Sequence, residues 1–320
     1  SAFTERWMRY MDACACPYRI LIADGGEDPG IERRLRTPDG FPRLRYEYLR
    51  YPVDADVTAY YRKLADVVAR VTTPYVMLAD NDDFLLLEPA EGCCDALDGD
   101  AAVVSCGGRR VVLRVQSSTK ELLAVPRGTA YEARLDERPK TVDGDTPAAR
   151  MSYFLRHVQR HYLWSCWYAV HRTEALAAAL GFAQRHTFRD PVAHELHVHL
   201  ALLCRGRYAQ QEAWSLVSQS GASQLTSQLE ARGNILERFI AVNAFEDLQQ
   251  SMEELAQWVP GADRDVVTSA LAAWLAEIAA RAYPQPPSPT PWLQRWFPRR
   301  HPRTTVRLPA IEPFILETAS

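Results

Sequence analysis

The chain has 320 residues, 47% hydrophobic and 24% charged, with a formal net charge of −3. These are globular values, which exclude disorder throughout and leave room for one α/β domain plus an appended piece. The faint acidity argues against a nucleic-acid binder.

Taken in chain order, residues 3–15 read as a helix, with Phe3, Trp7, Met8 and Met11 at helical spacing. Residues 18–23 (YRILIA) form a short apolar strand running into the turn Asp24-Gly25-Gly26. Residues 44–49 alternate and suit a second strand. Residues 57–71 are helical, stopped by Thr72-Thr73-Pro74. Residues 75–79 (YVMLA) are apolar throughout, as in a buried parallel strand, and end at Asp80-Asn81-Asp82-Asp83. Residues 101–106 and 111–115 give two more strands, so the order implies an α/β sheet. Helical patterns follow at 148–164, 173–180 and 193–204, the last ending at Gly206. From Leu225 the pattern is helical without strands, then proline-rich at 284–291. The expected division is an α/β domain over 1–222, a helical extension over 223–283, and a linker and tail over 284–320. Seven cysteines lie at irregular spacing with no C-x-x-C pair, which points to reduced thiols in a cytoplasmic protein. No apolar run reaches the ~18 residues of a membrane span.

The densest chemistry is the acidic run at 80–83, directly after an apolar strand. In open α/β sheets, ligands bind beyond the carboxyl ends of strands. Crowded carboxylates raise one another's pKa unless a cation lies between them. A hard divalent ion, Mg²⁺ or Mn²⁺, resolves that conflict and commonly joins one or two carboxylates to substrate phosphates. A solvated turn that caps the next helix is the plainer alternative.

Residues 17–84 and 165–206 together resemble family-2 glycosyltransferases of the GT-A fold. Four segments match in order: 18–28 (YRILIADGGED), 60–73 (YYRKLADVVARVTT), 75–84 (YVMLADNDDF) and 194–206 (HELHVHLALLCRG). The resemblance implies a nucleotide-sugar-binding domain with a central, mostly parallel sheet and an inverting, metal-dependent transfer. It implies that Asp24 and Gly25 lie beside the nucleobase and ribose, and that Arg62 or Lys63 meets the diphosphate or the base. It further implies that Asp80 contacts the ribose or metal, Asp82 binds the metal, and Asp83 supports or joins that shell. Two departures stand out. The sequence starts at Ser1, where the helix after the family's opening strand and loop is expected, so that strand either was removed or lies in sequence upstream of Ser1; and the acidic pair that carries the family's base, usually Glu-Asp, here reads His194-Glu195.

Glu195 falls at the position of the family's catalytic base, where a carboxylate takes the acceptor hydroxyl's proton. Complementing the helix dipole is the alternative role. His194 and His197 flank it and suit an acceptor surface. Trp164 and Trp167, in YLWSCWY, suit stacking on a sugar ring or packing in the core. Residues 292–303 mix aromatic and basic side chains, which fits a peripheral membrane contact or a segment folded back on the domain. The expected partners are a nucleotide-diphospho-sugar donor and a glycan or lipid-linked acceptor. A nucleotidyltransferase, which normally carries a Gly-rich loop with a lysine, and a non-catalytic scaffold are the competing readings.

Overall fold

The computed structural model describes residues 2–37, 40–115, 131–135, 141–161, 166–220 and 241–258, with single positions between 265 and 276. Helix α1 (Ala2–Ala13) packs Trp7, Met8, Tyr10 and Met11 inward. Strands β1 (Arg19–Asp24) and β2 (Arg45–Arg50) pair in parallel, joined through α2 (Pro29–Leu35), which Asp28 caps by accepting from the Gly30 N–H. Helix α3 (Val57–Ala69) is capped by Asp56, whose side chain accepts from the Ala59 N–H. Each cap satisfies a donor that the helix end would otherwise leave orphaned.

The second sheet contains β3 (Tyr75–Met77), β4 (Phe84–Leu85), β5 (Val103–Val115), β6 (Tyr131–Leu135), β7 (Val170–Arg172) and β8 (Arg207–Ser220). Its order is β3-β7-β5-β8-β4, with β6 also paired to β5. This corrects the expectation of a mostly parallel sheet. Here β5 and β8 are parallel, while β3/β7, β5/β7, β5/β6 and β4/β8 are antiparallel. Residues 103–106 are buried throughout, as their apolar run predicts, whereas Tyr75–Met77 are half-buried and Ala79 is exposed, so the run 75–79 is less buried than expected. Burial does not encode strand direction, because a helix-covered strand is apolar whichever way its neighbour runs.

Two apparent strands, 101–106 and 111–115, are one long strand with bulges at Gly107–Arg110. Gly108 explains the continuity. A Cβ there would lie 2.4 Å from the Ala213 carbonyl oxygen of β8, and its N–H donates to Ser215 Oγ at 3.1 Å. The missing side chain lets the two backbones close.

Helices α4 (Ala90–Gly99), α5 (Pro147–His161), α6 (Thr173–Ala183) and α7 (Pro191–Arg205) cover the sheet. Pro191 opens α7, and the Asp190 side chain caps it through the Val192 N–H. Helix α8 (Ala244–Leu255) buries Ala244, Leu248, Met252 and Leu255. Arg189, in the turn before α7, clasps it by donating to Asp247 Oδ1 at 2.6 Å and Glu246 Oε2 at 3.1 Å. No described helix is long and apolar enough to cross a membrane. The seven cysteines are free thiols. The tail over 284–320, including the aromatic and basic run, lies outside the described residues.

Gly108→Ala is expected to destabilise the protein by roughly 1–3 kcal/mol, since the obstacle is backbone and not a movable side chain. Urea unfolding of parent and variant measures it.

Candidate functional site

Strands β3 and β4 lie at opposite ends of the strand order, yet only residues 78–83 separate them. Four spacings of ~4.8 Å would place them about 19 Å apart in a flat sheet. The connection includes a turn at 81–83, so the sheet is curled and the acidic segment closes the gap. One end of the segment is tied to the β7 side and the other to β8.

Asp80 holds the first end. Its Oδ2 accepts from the Tyr168 hydroxyl at 2.7 Å, and its Oδ1 accepts from the Tyr60 hydroxyl at 3.3 Å. Tyr168 lies just before β7 and Tyr60 in the first turn of α3. Burial pushes the Asp80 carboxyl up, as does the neighbouring Asp82 charge, while the two tyrosines and Lys63 oppose the rise. The balance remains above the usual carboxylate range.

Asp83 holds the second end. It is 5% exposed, and its Oδ1 accepts from the Gln219 backbone N–H at 2.8 Å. Burial, then the Asp82 and Asp80 charges, raise its pKa to about 8. Of the three carboxylates expected at the metal, Asp83 is the one buried inside and bonded to β8. Asp82 is half-buried between the two, and its own carbonyl accepts from Arg6 Nη2 at 3.0 Å.

Glu195 comes from the second turn of α7 and is half-buried. Burial raises its pKa well above the usual range, Asp80 repels it further, and Arg110 on β5 acts in the opposite direction. Its charge also acts on Tyr60 and Tyr61. Glu195 thus lies within electrostatic reach of Asp80, although the two are 115 positions apart in the chain. Among the described residues, no hydrogen bond or ion pair reaches its carboxylate.

Lys63 is 8% exposed, pairs with Asp54, and sets its ammonium 5.1 Å from the Tyr60 ring centre. Asp54 in turn presses on Gly25, where a Cβ would lie 2.6 Å from the carboxylate. A continuous run of contacts therefore links Gly25, Asp54, Lys63, Tyr60 and Asp80, and Glu195 acts on Asp80 through its charge. Asp24 stands beside this path, accepting from Tyr48, from the Gly26 N–H at 2.8 Å and from Arg50 Nη1 at 2.8 Å. Burial alone would raise the Asp24 carboxyl, but those three donors hold it below the usual range. Arg62 is exposed on α3, one residue round the helix from Lys63, and is not brought to this path.

The proposed acceptor residues fare differently. Trp164 lies outside the described residues. Trp167 is 5% exposed and packs edge-on against Tyr61 and His199. His194 stacks on Tyr61 at 3.8 Å and His197 on Phe182 at 4.9 Å, both fully buried. These three rings are core, and they offer no open face to a sugar. The aromatic run instead contributes Tyr168, which the sequence reading passed over. Arg6, Asp54, Tyr60, Arg110 and Gln219 were missed as well. Nothing local marks them, since each is drawn in by tertiary contact.

Among the described residues, no three His, Cys, Asp or Glu side chains converge as a ready-made metal site. Asp80 and Asp82 offer hard oxygen donors, and Mg²⁺ or Mn²⁺ usually takes one or two protein carboxylates with phosphate and water supplying the rest. These two residues fit such an ion in the presence of a diphosphate.

No family model and no curated protein matches the chain. Among solved structures, it is similar to S. aureus TarS 1-349, with a TM-score of 0.40 and 10% identity over 88% of this chain and 90% of that one. A second similar structure, S. aureus TarS, gives a TM-score of 0.42 and 11% identity over 86% of this chain and 52% of that one. The likeness is coarse at these scores and assigns no residue a role.

Asp83 makes a pH prediction. Its carboxyl binds a proton more tightly in the folded chain, at about 8, than in the unfolded one, at about 3.9. Its contribution to stability is full below the unfolded value and is lost as pH rises through the folded one. Asp83→Asn retains an acceptor for the Gln219 N–H and cannot ionise. Relative to the parent, the variant is expected to gain roughly 2–5 kcal/mol between pH 5 and pH 8. Urea unfolding at several pH values measures the difference.

Proposed function

We propose that the chain is a glycosyltransferase that moves a sugar from a nucleotide-diphospho-sugar to a glycan or lipid-linked acceptor, with inversion, using Mg²⁺ or Mn²⁺. The observation that carries this reading is the convergence of Glu195 on Asp80 at the acidic turn. One carboxylate there is pinned by two tyrosine hydroxyls, and the other is free of hydrogen bonds and ion pairs among the described residues. A fixed acid beside an unengaged one suits two tasks, holding and proton removal.

In this reading Asp80 and Asp82 hold the ion, which when bound offsets negative charge on the diphosphate leaving group. The buried Lys63 adds positive charge beside Tyr60 and Asp80. Asp24 and Gly25 border the nucleoside end of the path. Glu195 accepts the proton of the attacking hydroxyl. Its raised proton affinity makes it a stronger base than a solvated glutamate once ionised, and an incoming cation favours that ionisation. A nucleotidyltransferase remains the second enzymatic reading, and it makes no use of a base on α7.

Glu195→Gln is expected to leave Mn²⁺-dependent binding of a nucleoside diphosphate within about twofold and to cut sugar transfer by about 10²–10⁴. Asp82→Ala is expected to abolish that binding with the fold intact by circular dichroism. Calorimetry with UDP, GDP, ADP and CDP, with and without Mn²⁺, supplies the binding data. Full transfer by the Gln variant rejects the base, and equal binding by Asp82→Ala rejects the metal site.

A further inference from the structure

The acidic turn is braced from behind by α1. Asn81 Nδ2 donates to Thr4 Oγ1 at 2.9 Å, and the Tyr10 hydroxyl donates to the Leu85 carbonyl at 2.8 Å. Between them, Arg6 Nη2 donates to the Asp82 carbonyl at 3.0 Å and to Gln219 Oε1 at 2.6 Å. The backbone N–H of that same Gln219 holds Asp83. One guanidinium therefore ties the peptide in the middle of the turn to the strand that anchors its far end.

Arg6 is 7% exposed, and its guanidinium lies between the Phe3 and Phe84 rings, 4.9 Å and 4.8 Å from their centres. Packing alone would be served as well by a methionine. Burying a charge is costly unless it is paired and hydrogen-bonded, so the charge itself needs a reason. The reason on hand is Asp82, whose carbonyl accepts from the guanidinium and whose negative charge favours the charged form against its burial. Lysine could not replace it fully, because only a planar fork stacks between rings while reaching two acceptors.

We propose that Arg6 is a positioning residue for the donor site: it fixes the Asp82 peptide, and with it the direction of the Asp82 carboxylate, and its charge offsets the repulsion that would spread the turn. The place in donor binding rests on the reading of Asp80 and Asp82 given above, whereas the hold on the turn does not.

Two measurements separate these parts. Arg6→Met keeps the stem between the two rings and removes the charge and both hydrogen bonds. In the folded variant, Mn²⁺-dependent affinity for the nucleoside diphosphate is expected to fall about 10–100-fold, the usual cost of losing a group that orients a metal ligand. Arg6→Lys is expected to recover part of that loss. A merely structural role would lower the thermal midpoint and leave the folded protein's affinity unchanged. Such a result, or a lysine variant no better than methionine, overturns the role in binding. Amide hydrogen exchange is the second measurement. In Arg6→Met, the amides of 81–84 and of Gln219 are expected to exchange at least tenfold faster, with α1 unchanged. Unchanged protection of the turn overturns the proposal outright. A parent protein that binds no nucleoside diphosphate overturns the functional reading instead, and exchange at the turn then decides by itself whether Arg6 holds it.

Discussion

Four carboxyl groups, Asp80, Asp82, Asp83 and Glu195, share one region of this protein, and their mutual repulsion is the constraint that the surrounding structure answers. In water such a cluster would be unremarkable. Here Asp83 is buried and Asp80 and Glu195 are partly so, and lower effective dielectric strengthens every pairwise term. Three of the four are driven to hold their protons more tightly, by burial first and by one another second.

The fold meets this with groups from five separate places. Tyr60 on α3 and Tyr168 before β7 stabilise ionised Asp80. Gln219 on β8 takes Asp83 inward. Arg110 on β5 draws Glu195, and Arg6 on α1 holds the turn from behind. Curling the sheet makes this possible, because it brings the β7 and β8 sides to the two ends of one short segment. In the function proposed above, a bound divalent cation would offset the remaining excess of negative charge. A site of this kind is assembled apart from its ligand but not relaxed without it.

Legibility in the sequence followed locality. The strand before the acidic run could be read because residues 75–79 are apolar and the run is consecutive. Helices α3 and α7 could be read from their period and their caps. Strand β7 has three residues, too few for any period to emerge. Strand β8 (RYAQQEAWSLVSQS) is rich in Gln and Ser, and it escaped notice because its polar groups are satisfied across the sheet. Ser215 and Gln219 read as loop residues until Gly108, Asp83 and Arg6 supply their partners. The choice between Arg62 and Lys63 depended on helix phase, which places Lys63 inward. Tyr168 was hidden in an aromatic run where Trp164 and Trp167 drew the attention, since a tyrosine's polar tip reveals its purpose only when its acceptor is known.

The most direct measurement of the electrostatic account is the number of protons released when the Mn²⁺ complex of the tightest-binding nucleoside diphosphate is titrated into the protein near pH 7. Calorimetry in buffers of different ionisation enthalpy gives that number, because ligand carboxyls must be deprotonated for the ion to bind. Carboxyls that retain protons through burial and mutual repulsion predict release of roughly one proton per site, reduced in Glu195→Gln. Binding with no proton release would show that Asp80, Asp83 and Glu195 give up no proton to the ligand, and it would contradict the account.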